Sequence, residues 1–88
     1  MKKELRWDYN ISAKNMLDFT KDQEIGDFKI NVAEFADSKG KNIKRNVLAR
    51  EGEQIFHMTD GIYILEKEDE DGEYVEYYYS ENIEDLLK

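Results

Sequence analysis

The chain has no cysteine and no proline, and only one histidine, among its 88 residues. Without cysteine there is no disulfide, thiol nucleophile, iron–sulfur cluster or thiolate zinc site. One histidine adds too little for an ordinary tetrahedral zinc site, so neither metal nor cofactor is expected. His57 is also the only side chain whose ordinary pKa lies near neutrality, and no acid–base partner accompanies it. A packed position in a central strand accounts for it better than catalysis does. Long apolar runs are missing as well. The longest, Ile62 to Leu65, is four residues, against about twenty needed to span a bilayer. Met1 to Asp8 runs straight into charges and lacks the apolar stretch of a signal peptide, so a cytoplasmic protein is expected. The five glycines stand singly at turns, with no phosphate-cradling Gly-x-Gly-x-x-Gly. There is no Gly-x-Ser-x-Gly elbow either, and Ser12 and Ser80 read as helix caps. A non-enzymatic protein is expected.

What is present is charge of one sign, placed unevenly. The formal net charge is −8. Met1 to Arg50 holds 11 Lys or Arg against 8 Asp or Glu, whereas Glu51 to Lys88 holds 2 against 13. The whole negative excess therefore belongs to the second part of the chain, which favours a basic partner and disfavours free DNA or RNA. The chain is 40% hydrophobic, with six Tyr and four Phe. That is enough for one modest core, so residues 1–88 read as a single folded domain rather than a disordered acidic tail.

Glu4 to Tyr9 alternates polar with apolar, the period of a strand burying Leu5, Trp7 and Tyr9. From Ser12 to Ile25, the Ser12 cap, the spacing of Ala13, Met16, Leu17 and Thr20, and the stop at Gly26 predict a helix packed on a sheet face. Phe28, Ile30 and Val32 alternate as a second strand, with Ala33 to Ser38 open to one helical turn. Ile43, Val47 and Ala49 lie in a basic strand with Lys44, Arg45 and Arg50. Asp60-Gly61 suits a two-residue type I′ hairpin, facing Met58 with Tyr63, Phe56 with Leu65 and His57 with Ile64. Both faces of that hairpin are apolar, which puts it mid-sheet. A second turn at Asp71-Gly72 sets Lys67 opposite Glu76 and Glu70 opposite Glu73. Tyr74 to Tyr79 is the last strand, and Ser80 opens a short C-terminal helix carrying Ile83, Leu86 and Leu87.

The expected fold class is α+β: a small meander-rich antiparallel sheet of four to six strands, one helix on a face and a short C-terminal helix. The expected core is Leu5, Trp7, Met16, Leu17, Phe28, Ile30, Val32, Val47, Phe56, Met58, Ile64 and Leu65.

Two charged constellations invite a function. The acidic run fails as an EF-hand loop: with Gly72 at the sixth position, the first and twelfth become Lys67 and Tyr78. The basic stretch Lys39, Lys41, Lys44, Arg45 and Arg50 reads as a balance for acidic neighbours rather than a nucleic-acid footprint. That leaves a tyrosine and carboxylate surface: Glu66, Glu68, Asp69, Glu70, Asp71, Glu73, Tyr74, Glu76, Tyr77, Tyr78, Tyr79 and Glu81, with Glu84 and Asp85 nearby. Tyrosine offers stiff contact area with a polar tip, and spaced carboxylates imitate the charge of a nucleic-acid backbone. In a strand, Tyr77 and Tyr79 share one face and Tyr74 and Tyr78 the other.

In composition, this very small, acidic, Lys- and Asn-rich, cysteine-free chain resembles phage-encoded inhibitors of host nucleic-acid enzymes, such as anti-CRISPR and anti-restriction proteins. The resemblance implies a DNA-mimicking protein inhibitor that blocks the basic groove of a host nuclease or effector in the host cytoplasm. The alternative is a small intracellular interaction or assembly module that homodimerises or docks through an exposed strand edge.

Overall fold

Seven antiparallel strands make one sheet in the computed structural model, which describes residues 1–87. They are β1 (Lys3–Glu4), β2 (Met16–Leu17), β3 (Lys29–Ala36), β4 (Asn42–Arg50), β5 (Glu53–Met58), β6 (Tyr63–Glu68) and β7 (Val75–Ser80). Their order is β1-β7-β6-β5-β4-β3, with β2 pairing β5 off this path. The fold is all-β, and the α+β expectation fails at both helices. Among the described residues only three 3-10 turns occur: Ala13–Asn15, Lys21–Gln23 and Ile83–Leu87.

The segment read as a helix over Ser12 to Ile25 has to cross the sheet. Met16 belongs to a core cluster with Val47, Phe56, Met58 and Ile64 on one face. Phe19 belongs to a second cluster with Phe28, Leu48, Ile55, Leu65 and Leu86 on the other. Between them β2 slots into the sheet, Met16 opposite Met58 and Leu17 opposite His57. On its other side the Phe19 N–H donates to Asn46 O at 3.0 Å, and the Asn46 N–H donates to Asp18 Oδ1 at 2.8 Å. Strands lie about 4.8 Å apart, and a helix about 10 Å across does not fit that slot. Ser12 still caps as its sequence suggests, its hydroxyl accepting from Lys14 N at 3.3 Å, but it caps a single 3-10 turn. At the C-terminus Asn82 Oδ1 accepts from Glu84 N at 3.0 Å. Ser80 is buried, and its hydroxyl accepts from Asn82 N at 3.0 Å and donates to Asp85 Oδ2 at 2.9 Å.

Both faces of the sheet are therefore covered by irregular chain. Residues 5–16 lie over the Phe56 face, pinned by Tyr9 Oη to Asp60 at 2.9 Å and by Arg45 Nε donating to Ala13 O at 2.9 Å. Residues 19–28 and the closing turn lie over the Leu48 face. The basic residues of β4 serve this packing. Arg50 pairs with Glu53 at 2.6 Å and stacks on the Phe28 ring at 4.3 Å, while Lys44 pairs with Glu34 at 3.8 Å.

The expected core holds for Met16, Phe28, Val47, Phe56, Met58, Ile64 and Leu65, but Trp7, Leu17 and Val32 are exposed. Ala13, Phe19, Leu48, Ile55 and Leu86 are buried in addition. Val32 is open to solvent, although Ile30, two residues away on the same face, packs against the Leu48 cluster. Ala33 to Ala36 stay in β3 rather than turning helical.

The turns explain two registers. Lys67 stands opposite Glu76, as the Asp71-Gly72 spacing predicts, with Glu70 to Glu73 outside the ladder. At Asp60-Gly61 the register is one residue off: His57 faces Tyr63 and Phe56 faces Ile64. Among the described residues no non-glycine residue has positive φ, so Asp60 does not adopt the type I′ conformation. Thr59 joins the loop instead, Met58 N donates to Ile62 O at 2.9 Å, and Gly61 takes φ +97°. That is the three-residue alternative, with glycine in the left-handed position.

His57 sits mid-sheet, its ring stacked on Tyr63 at 4.2 Å between centroids and 5.8 Å from Phe19. Burial pushes its pKa below the ordinary imidazole value. A depressed pKa means that the folded state resists protonation, so stability is full above about pH 6.5 and falls as the pH drops through the folded value. His57→Phe keeps the stack and removes the titration. Urea unfolding at pH 8 and pH 5.5 should show a smaller loss for H57F than for the native protein, and equal losses would refute this role for His57.

Candidate functional site

Glu66 and Glu68 on β6 and Val75, Tyr77 and Tyr79 on β7 share the Phe56 face, because Glu66 opposes Tyr77, Glu68 opposes Val75 and Ile64 opposes Tyr79. Glu76 and Tyr78 lie on the other face. Asp69, Glu70, Asp71, Gly72 and Glu73 form the tip, closed by Asp69 N to Tyr74 O at 3.0 Å. Glu73 N also donates to Asp69 Oδ1, at 3.0 Å. Glu81 is exposed beyond β7.

The carboxylates of this end are not neutralised by their surroundings. None of the four ion pairs among the described residues uses an acidic side chain between Glu66 and Glu76. Lys67, the one cation in the run, stands in register between Glu53 and Glu76. Glu68 N donates to Gly52 O at 2.9 Å, which sets the Glu51-Gly52 turn beside the tip and adds a further carboxylate. Lys39 and Lys41 lie in the β3–β4 turn, at the far end of the sheet. Lys39 and Lys41 are thus held away from the tip, while Arg50, at the tip end of β4, is paired with Glu53. Burial raises the Glu66 pKa against the lowering effect of the bond from Tyr77 Oη, which is 3.1 Å long.

The tyrosines divide by height along β7 rather than by face. Tyr78 and Tyr79 are partly buried, each packed against one core cluster. They lie beside β1 in the sheet, where Lys3 opposes Tyr79 and Glu4 opposes Tyr78, and Lys2 Nζ sits 4.9 Å above the Tyr78 ring. Tyr78 also hydrogen-bonds Glu76, which with burial lifts its pKa to about 12. Tyr74 is 61% exposed, and Tyr77 and Val75 are partly open. The strand alternation places side chains on faces but not under cover.

Trp7 is the most exposed of the residues that the sequence places in the core. It is 96% exposed, the most exposed aromatic side chain described. The strand stops at Glu4, and Tyr9 N donates back to Arg6 O at 3.1 Å, so residues 6–9 turn and throw the indole outward. Arg6 and Asp8, which bracket Trp7 and pair at 3.0 Å, were the available sign of that turn. Tyr77 joins Trp7 in one shallow hollow of about 310 Å³ and joins Tyr74 and Val75 in the next. Trp7, Tyr77, Val75 and Tyr74 thus form an aromatic strip across two adjoining hollows, which Arg6, Glu4 and Glu76 also line, with Glu66 opposite Tyr77 and Glu68 opposite Val75.

Neither hollow encloses a small molecule, and among the described residues no three metal-ligating side chains converge. No helix there is long and apolar enough to cross a membrane. No family model, curated protein or solved structure matches this chain.

Proposed function

We propose that this protein is a non-enzymatic inhibitor that docks its acidic, aromatic surface in the basic groove of a nucleic-acid-processing enzyme and excludes the nucleic acid. The observation that carries this reading is the juxtaposition of unneutralised carboxylates at the β6–β7 tip with the exposed strip of Trp7, Tyr77, Val75 and Tyr74. Carboxylates at the tip steer a positively charged groove into place and set the association rate. Trp and Tyr supply the rigid contact area that dominates binding energy once charges have met. The partner is a basic protein rather than free nucleic acid, and the site of action is the cytoplasm, as for the phage inhibitors that the composition resembles.

Capture from a bacterial lysate tests it. The native chain should retain a nucleic-acid enzyme that elutes with salt, and the chain with Glu68, Asp69, Glu70 and Asp71 reversed to Lys should retain about 10–100-fold less at low salt. Equal retention by the reversed chain, or a partner indifferent to salt, would overturn the proposal.

A further inference from the structure

β3 ends the sheet: among the described residues it pairs only with β4. In an antiparallel ladder the N–H and C=O of one residue point to the same side, alternating along the strand. Asp37 N donates inward to Lys41 O at 2.8 Å, so Phe35, Ala33, Asn31 and Lys29 also point inward, and Ala36, Glu34, Val32 and Ile30 point out. Three further bonds agree. Ile30 N donates outward to Glu24 Oε2 at 2.8 Å. Asn46, opposite Val32, gives its own backbone groups to Asp18 and Phe19, away from β3.

Val32, Glu34 and Ala36 therefore present a row of unpaired backbone donors and acceptors, with Val32 56% exposed. Such a row is a template for another strand. From this edge we infer that the protein forms a twofold homodimer by antiparallel pairing of β3 with β3 of a second copy, with the axis at Ala33.

The register follows from what the edge offers. Outward residues have to meet outward residues, so the axis passes through a residue. An axis at Glu34 sets that carboxylate against its own copy and Lys29 against Lys39. An axis at Val32 puts Ile30 N, which Glu24 already holds, in the pairs next to the axis and turns Asp27 towards Asp37, whereas the axis at Ala33 leaves Ile30 N in the outermost pairs. The axis at Ala33 bonds Val32 to Glu34 of the second copy, gives Ala36 N the Ile30 carbonyl, and sets Lys29 opposite Asp37 at both ends. Asp37 is ready for that cation: Lys39 N and Lys41 N both donate to its Oδ1, at 2.8 Å each, leaving Oδ2. It lies at the rim of a cavity of about 570 Å³ beside Phe35 and Glu34, on the face that Lys29 shares. The dimer leaves the acidic tips outermost, one at each end.

Sedimentation velocity from 1 to 100 μM tests this, with circular dichroism to confirm folding. The native protein should dimerise. Val32→Pro removes an outward N–H without touching the β4 ladder and should be monomeric, whereas Val32→Thr keeps the N–H and should dimerise. Lys29→Asp, on an exposed side chain, should weaken the dimer about tenfold, since it turns two attractive pairs repulsive. A native monomer at 100 μM would overturn the inference. So would a dimer that survives both V32P and K29D, whatever the fold of V32P.

Discussion

Phe19→Ala should unfold much of the population at 37 °C. The residue sits in irregular chain between two short 3-10 turns, yet it is 1% exposed. Its ring lies 5.8 Å from His57 and 6.2 Å from Tyr63, and it anchors the cover over the Leu48 face. Truncating a buried phenylalanine costs about 3–5 kcal/mol through lost burial and the cavity left behind. A chain of this length holds roughly 4–13 kcal/mol in all. Urea unfolding followed by tyrosine and tryptophan fluorescence should place the midpoint of F19A at least about 2 M below the native value. A shift under about 0.5 M would show that residues 19–28 are dispensable to the core.

Trp7→Ala should do the reverse, leaving the unfolding free energy within about 0.5 kcal/mol of native, because the indole has almost nothing to lose on unfolding. Binding should weaken about 30-fold or more, the scale of an aromatic hot spot. Tyr74→Ala added to it should deepen the loss, and the deficit should persist in high salt, where the electrostatic share is screened. Titration of the captured partner against both variants reads this directly. Unchanged affinity in W7A would remove the aromatic strip from the proposed surface and leave the carboxylates alone.

The contrast between Phe19 and Trp7 shows what the sequence made legible and where it misled. Trp7 fell into an alternating run and Phe19 fell off a helical stripe, so one read as core and the other did not. Both readings assumed that local periodicity reports a regular element. Here Glu4 ends a two-residue strand, and Met16 and Phe19 serve opposite faces of the sheet. A large apolar side chain left outside an otherwise good amphipathic stripe was the sign that Ser12 to Ile25 is not a helix. The hairpins read better, because glycine punctuates them. Lys67 opposite Glu76 follows from Asp71-Gly72, while the φ of Asp60 shifted its neighbour by one residue. At the candidate site the carboxylates were plain, since charge needs no fold to be counted. Which tyrosines are open was not, because that depends on where β1 lies.

β2 in its slot between β4 and β5 also constrains the order in which the chain assembles. The strands from β3 to β7 are sequential neighbours, so each hairpin closes a short loop before the next is added. β1 and β2 come from the other end of the sequence and find partners at β7 and β5. β2 has no position until β4 and β5 have already diverged around it. On this topology we expect the meander to form the nucleus and the N-terminal segment to be stitched in late, with φ-values near zero for substitutions in β1 and β2. Until that stitch is made, both apolar faces stand open and the chain is at its most prone to aggregate.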